Sequence, residues 1–123
     1  MPSKTLAPSI ADLVLFEVDP AWSRDKVLYG SGNLVPLGTV LAKNASGEYN
    51  PVNFAGANGA QLAIAVAAEK VDASAAAKKG TAMRRGCVLE TSMLIWPAGA
   101  TDAQKASATA SLDALGIVTR AAL

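Results

Sequence analysis

The chain has 123 residues, of which 26 are alanine and 29 are Leu, Ile, Val or Phe, and its formal net charge is +1. This apolar content is enough for one compact domain, but a core so rich in alanine is thin for the length, which favours an assembled subunit over a free monomer. No histidine occurs and Cys87 is the single cysteine. Histidine-based catalytic triads, most zinc centres and an intrachain disulfide are therefore excluded.

Charge and apolar patterning predict a soluble protein without a nucleic-acid or membrane partner. The balanced charge gives no overall field to attract nucleic acid or anionic membrane. The longest uncharged stretch, residues 49–68, contains proline, glycine and asparagine, so we do not expect it to span a membrane. Residues 1–11 carry no apolar centre of a secretory leader.

The N-terminal region predicts an arm followed by a short strand. Residues 1–11 are polar and contain two prolines, which is typical of a segment outside the core. Residues 12–19 alternate so that one face is wholly apolar, and Pro20 follows them. The side chains on that face are Val14, Phe16 and Val18. We expect this strand to have no partner in its own fold.

The middle of the chain alternates short extended segments with glycine-rich turns. The pattern predicts strands at residues 27–29, 34–41 with an interruption at Pro36, 61–68, 81–90 with a break at Gly86, 93–96 and 117–119. An alanine-rich stretch at residues 72–79 predicts one helical turn.

The clearest helix signal lies near the C-terminus. Thr101 and Gln104 have the spacing of a capping box, and Gly116 supplies a stop. The apolar face predicted to pack on the body comprises Ala108, Leu112 and Leu115. We expect a helix over residues 102–115 and a largely buried Trp96. The fold class is therefore α+β, mainly β.

Four carboxylates within 14 residues are the first candidates for chemistry. They are Asp12, Glu17, Asp19 and Asp25. Two carboxyl groups held a few ångströms apart can hydrolyse glycosides. Nothing in the sequence separates their pKa values, however, and basic residues adjoin Asp25. We therefore favour a solvated or interface edge over a catalytic pair.

The basic residues concentrate in one place. Lys78, Lys79, Arg84 and Arg85 hold four of the 11 positive charges. The residues between them include no aromatic or amide side chain that reads or stacks bases. A solvated face or a protein-docking patch is the favoured interpretation, with phosphate binding as the alternative. Cys87, next to this cluster, is expected to be buried and unreactive.

The order of several short motifs resembles the phage lambda-type head decoration protein D family. In chain order they are VPLGTVL at 35–41, AIAVA at 63–67, VDA at 71–73, RGCV at 85–88, LIWPAGAT at 94–101 and LGI at 115–117. The resemblance extends over roughly residues 26–121.

This resemblance implies a non-enzymatic cement protein with no cofactor and no metal. Such a protein is made in the host cytoplasm, binds the outer surface of an expanded phage head as a homotrimer and stabilises it, with the major capsid protein as its partner. The implied subunit is small and β-rich (β-tulip-like), with one C-terminal helix and an N-terminal arm. A small nucleic-acid-associated protein that uses the basic cluster is the alternative.

Within this interpretation, the unpartnered N-terminal strand is the expected docking element. We expect residues 1–23 to form an arm that docks on the capsid or a neighbour, and residues 24–123 to form the decoration domain. The candidate docking residues are Leu13, Val14, Leu15, Phe16 and Val18, with possible secondary contacts from Lys78, Lys79, Arg84 and Arg85.

Overall fold

A computed structural model describes residues 9–121 and confirms a mainly β fold with a C-terminal helix. Ten short strands, two short helices and one longer helix make up the described part of the chain. In chain order the elements are α1 (Ile10–Leu13), β1 (Val14–Glu17), α2 (Pro20–Ser23), β2 (Arg24–Tyr29), β3 (Asn33–Val35), β4 (Val40–Lys43), β5 (Tyr49–Pro51), β6 (Ala65–Ala67), β7 (Val71–Ala73), β8 (Lys78–Met83), β9 (Cys87–Glu90), a 3₁₀ turn (Thr91–Met93), α3 (Asp102–Ala114) and β10 (Ile117–Arg120).

Five strands close into a small barrel in the order β2-β5-β4-β6-β8. One face of these strands packs around Tyr29, which is fully buried and donates its hydroxyl to the carbonyl of Thr81 at 2.8 Å. The ring packs closely on Gly80, where an added Cβ would lie 2.9 Å from Tyr29 Cε1. Buried alanines on β6, β7 and β8 complete the cluster. The alanine-rich composition therefore lets short strands close tightly around the larger side chains Tyr29, Tyr49 and Leu41.

β1 and β10 flank β9 in a separate three-stranded sheet, β1 antiparallel and β10 parallel to it. The inward side chains of this sheet, Cys87, Leu89 and Ile117, are buried. They belong to the same core cluster as Leu13 and Leu112. The expectation that the N-terminal strand has no partner in its own fold is therefore wrong, because its backbone pairs with β9.

The N-terminal region is more finely divided than the sequence pattern predicts. The strand expected over residues 12–19 starts at Val14 and ends at Glu17, since the preceding residues form α1. Residues 9–23 fold onto the body, and most of the predicted polar arm lies outside the described residues. The division into an arm and a decoration domain stays a prediction about function.

Long-range pairing shortens one predicted strand in the middle of the chain and overrides the predicted helical turn. Pro36 does divide the strand at 34–41, giving β3, which pairs with β7, and β4, which enters the barrel. The strand at 61–68 shortens to β6, and Leu62 is 53% exposed. The helical turn at 72–79 is wrong, because β7 and β8 take up the two ends of this stretch and residues 74–77 form the bend that connects them. The strand partners at both ends outweigh the helix propensity of alanine.

The buried strand predicted at residues 93–96 is also wrong. The chain leaves the 3₁₀ turn and makes a single bridge, from Ile95 to Thr39, and Ile95 is 40% exposed. Trp96 is half-buried, and its ring stacks on Phe54 with 6.4 Å between centroids. Trp96, predicted to be largely buried, is partly buried and packs against the edge of the core cluster.

The C-terminal helix follows its sequence signals closely. Thr101 accepts a hydrogen bond from the backbone of Gln104 at 3.1 Å, and the Gln104 side chain returns the contact, as a capping box requires. Ala108 and Leu112 are buried. Leu115 caps the helix and is 46% exposed, so its predicted packing on the body is wrong.

Leu112→Ala and Leu115→Ala form a matched pair that tests the packing of α3. Because Leu112 is fully buried, we expect its truncation to lower the free energy of unfolding by about 2–5 kcal/mol. The same truncation at half-exposed Leu115 is expected to cost less than about 1 kcal/mol. Urea denaturation measures both values. Equal losses at the two positions would contradict this packing.

Candidate interaction surface

The bulge in β1 turns two consecutive apolar side chains outward. Val14 pairs with Leu89 and Phe16 with Val88, so Leu15 is an extra residue in the strand. Leu15 is 41% exposed and Phe16 is 59% exposed. A regular strand would place one of two consecutive side chains inside. The bulge thereby enlarges the apolar surface that β1 presents to solvent.

The outer side of the three-stranded sheet extends this surface. Val88 lies between Phe16 on β1 and Val118 on β10, in one row across the sheet. Residues directly opposite on neighbouring strands share a face. Val18 directly follows β1 and is 61% exposed. We call this surface the apolar face; its residues are Leu15, Phe16, Val18, Val88 and Val118, of which Val88 is partly buried and the other four are exposed. Contiguous exposed apolar residues are typical of interaction sites, unlike isolated ones.

The apolar face adjoins a free sheet edge. Within residues 9–121, β1 has a single neighbouring strand, β9. Its outer edge therefore offers unpaired backbone N–H and C=O groups to another chain. An extended segment that paired with this edge would also contact Phe16. The edge and the apolar face together suit a partner that contributes a strand.

The five predicted docking residues are not equally accessible. Leu13 is fully buried in the core, so its side chain is not available to a partner in this conformation. Val14 is half-buried and packs against that core. The structure brings Leu15, Phe16 and Val18 to the surface. It also adds Val88 and Val118, which the sequence analysis missed because their nearness to β1 depends on long-range pairing.

Trp22 on α2 lies beside this surface and was also missed. Asp19 caps α2 by accepting a hydrogen bond from the amide of Ala21 at 2.8 Å, and Pro20 occupies the first helical position. The Trp22 ring is 51% exposed and lies over Gly86. A large aromatic residue in an otherwise polar segment was the available signal.

The basic cluster does not form one free positive patch. Arg85 makes an ion pair with Asp25 at 2.6 Å, and Arg84 approaches the same carboxylate at 3.5 Å. Arg84 also donates to the Tyr49 hydroxyl at 2.6 Å. The other two members, Lys78 and Lys79, are exposed on β8. Both arginines therefore bind partners within the chain, which leaves the two lysines as the accessible positive charges of the cluster.

The four carboxylates have separate structural roles. Glu17 makes an ion pair with Arg24, and Asp25 makes one with Arg85. Asp19 caps α2, and Asp12 accepts from the backbone of Ser9 at 2.8 Å at the start of α1. No two of them share a partner in these contacts, and this arrangement gives no acid–base pair.

Cys87 is buried as expected, and burial raises the pKa of its thiol to about 11. It is therefore protonated and unreactive at neutral pH. Within residues 9–121, no group of three or more metal-ligating side chains occurs. In the same residues no helix is long and apolar enough to cross a membrane.

A family model matches nearly the whole chain. It is described as Bacteriophage lambda head decoration protein D, and the match covers residues 4–117. The matched region contains every residue of the apolar face except Val118. No individual curated protein matches the chain. The match confirms the family resemblance seen in the short motifs.

The ion pair of Asp25 predicts a specific pH dependence. The hydrogen bond from Arg85 holds the pKa of Asp25 below its usual value, and Arg84 adds to this effect. The resulting stabilisation is present above the unfolded pKa of about 3.9 and is lost as the pH falls through the lower folded pKa. We expect the difference in unfolding free energy between the parent and Asp25→Asn to shrink from about pH 7 to about pH 3.

Urea denaturation across this pH range measures that difference. Asp113→Asn, on an exposed position of α3, controls for the change from carboxylate to amide. A difference for Asp25→Asn that stays constant over the whole range would contradict the role of the ion pair.

Proposed function

The chain belongs to the bacteriophage lambda head decoration protein D family, and from this membership we propose that it binds the outer surface of the expanded phage head as a homotrimer and stabilises the shell. Its role as a structural component of the phage capsid follows from the family. The trimer, the outer surface, synthesis in the host cytoplasm and the major capsid protein as direct partner are parts of the proposal. No cofactor, nucleic acid or membrane takes part in it.

The apolar face is the observation that carries this proposal. Phe16 and Val18 are 59% and 61% exposed. Burying a large apolar side chain contributes roughly 1.5–3 kcal/mol, and half-exposed side chains gain part of that. A capsid segment that pairs with the free edge of β1 would add backbone hydrogen bonds and fix the register. We propose that docking on the capsid protein uses this edge and the apolar face together.

Trimerisation makes such a modest contact effective. One subunit gains a few kcal/mol from the apolar face, and part of it is offset by the cost of association. Three linked subunits bind three equivalent sites, so the second and third contacts form at high effective concentration. The thin core of the isolated subunit is a further reason to expect assembly, because neighbours that bind the folded state stabilise it.

The alternative, a small nucleic-acid-associated protein, finds little support in the side chains. Arg84 and Arg85 bind Asp25, and only Lys78 and Lys79 remain accessible in the cluster. Two lysines neutralise few phosphates. Salt dependence separates the two functions: phosphate binding weakens steeply between about 50 and 200 mM salt, whereas an apolar contact does not.

Phe16→Ser/Val18→Ser is the variant that tests the docking role. Both side chains are exposed, so we expect the melting temperature to stay within a few degrees of the parent and head binding to fall by at least about tenfold. Binding is measured by sedimentation of the protein with expanded heads. Point substitutions are preferable to N-terminal truncation, because truncation would also remove buried Leu13 and the strand that covers one edge of β9.

Leu34→Ser is the matched control, since Leu34 is 52% exposed and lies on β3, outside the apolar face. Head binding by the double variant at parental affinity would refute docking through the apolar face. Native mass measurement and the symmetry of the bound protein test the trimer independently. A single bound monomer or a dimer would refute that part.

A further inference from the structure

The turn between β8 and β9 holds the segment that follows β1. We call this turn, Arg84–Gly86, the corner. The carbonyl of Gly86 accepts hydrogen bonds from the amide of Val18 at 2.9 Å and from the hydroxyl of Ser23 at 3.1 Å. The amide of Arg84 donates to the carbonyl of Ser23 at 2.9 Å. The corner therefore contacts the chain at both ends of α2.

The side chain of Arg85 adds contacts with Trp22 and Asp25 to these backbone hydrogen bonds, and we call this group of side-chain contacts the clasp. Its guanidinium donates to the carbonyl of Trp22 at 2.5 Å and to both carboxylate oxygens of Asp25 at 2.6 and 3.1 Å. It also lies 5.9 Å from the centre of the Trp22 ring. A guanidinium can make these contacts at once because it is planar and carries several donors in a fixed fork. A lysine ammonium, as a point charge, lacks that geometry.

The Trp22 ring packs directly on Gly86, which has no side chain to block it. A Cβ at Gly86 would lie 2.1 Å from Trp22 Cζ3, and its φ is +59°. Both the lack of a side chain and the left-handed backbone are therefore needed here. The ring is 51% exposed and the Arg85 side chain 30% exposed. This contact is at the surface, so the core does not depend on it.

The clasp lies next to the apolar face and helps to fix the path of the backbone that follows β1. Glu17, the last residue of β1, pairs with Cys87, which directly follows the corner. Val18 is held by Gly86, and Trp22 is held by Arg85. Phe16 and Val18 therefore lie on a segment whose C-terminal end is fixed by the corner. Release of that end would leave β1 with its three residue pairs to β9 and the ion pair between Glu17 and Arg24.

We propose that Arg85 is a positioning residue for docking: by clasping Trp22 and Asp25 it holds the segment after β1 in one conformation and so presents Phe16 and Val18 to the capsid. This inference rests on the proposed function and assigns one member of the basic cluster to the internal support of the docking surface. A partner that binds only the ordered segment binds more weakly in proportion to the fraction that is ordered.

Arg85→Ala in a Trp96→Phe background tests the clasp directly. Trp22 is then the sole tryptophan, because the chain has two. We expect amide hydrogen exchange of residues 18–23 to accelerate about tenfold, with tryptophan emission shifted to longer wavelength, while exchange in β4, β6 and α3 is unchanged. Head binding should weaken by roughly three- to tenfold. Arg85→Lys should resemble Arg85→Ala, because the fork is lost while the charge is kept.

Lys79→Ala is the matched control, since it removes one exposed positive charge from the same cluster without touching Trp22. Asp25→Asn weakens the clasp by removing the charge that Arg85 binds. It replaces Arg85→Ala as the test variant if Arg85→Ala does not fold. Unchanged exchange at residues 18–23 overturns the proposal, as does full recovery by lysine. Faster exchange with unchanged head binding overturns the positioning role and leaves the clasp as a local contact.

Failure of the proposed function has a different signature. If Phe16→Ser/Val18→Ser binds heads normally, docking does not use the apolar face, and hydrogen exchange still reports on the clasp. If exchange accelerates in Arg85→Ala and head binding falls while the double variant also loses binding, both the proposed docking and its support by Arg85 hold.

Discussion

The pairing of β9 with β1 on one side and β10 on the other is the constraint on which the surface depends. It brings residues near both ends of the described chain together and buries Cys87, Leu89 and Ile117 against α3 and α1. Among residues 9–121, Phe16 and Val118 on the outward side of the same strands remain exposed. A sheet covered on one face only leaves its other face to solvent or to another molecule. In this protein that face is apolar, which is why the packing of the core and the interaction surface cannot be separated.

Local signals in the sequence were sufficient where a structure is decided by residues a few positions apart. The capping box at Thr101 and Gln104 and the stop at Gly116 placed α3 within one residue of its observed end. Pro36 and Gly86 were identified as interruptions, and both divide strands. Proline and glycine act on their own backbone, so their effect does not depend on the rest of the fold. Elements of this kind can be predicted without knowledge of the tertiary structure.

The failures have a common physical cause in long-range pairing. Residues 72–79 contain alanines that favour a helix in isolation, but the two ends of this stretch belong to β7 and β8, which pair with strands about 40–50 positions earlier in the chain. β1 looked unpartnered because its partner residues lie 70 or more positions away. The ion pair between Arg85 and Asp25 spans 60 positions, so charge clustering along the sequence suggested a free basic patch. Phe16 and Val18 were found because their alternation is local, whereas Val88 and Val118 were not.

The pairing of β9 with β10 delays completion of the fold until β10 has been synthesised. β9 acquires β1 only after about residue 90 has been made, and it acquires β10 only after residue 120. The barrel closes through β2 and β8, which are also distant in sequence. Such long-range pairings form slowly, because the intervening chain must first be ordered. A nascent chain on the ribosome therefore lacks the completed three-stranded sheet, and the apolar row formed by Phe16, Val88 and Val118 is assembled only on chains in which synthesis has passed β10.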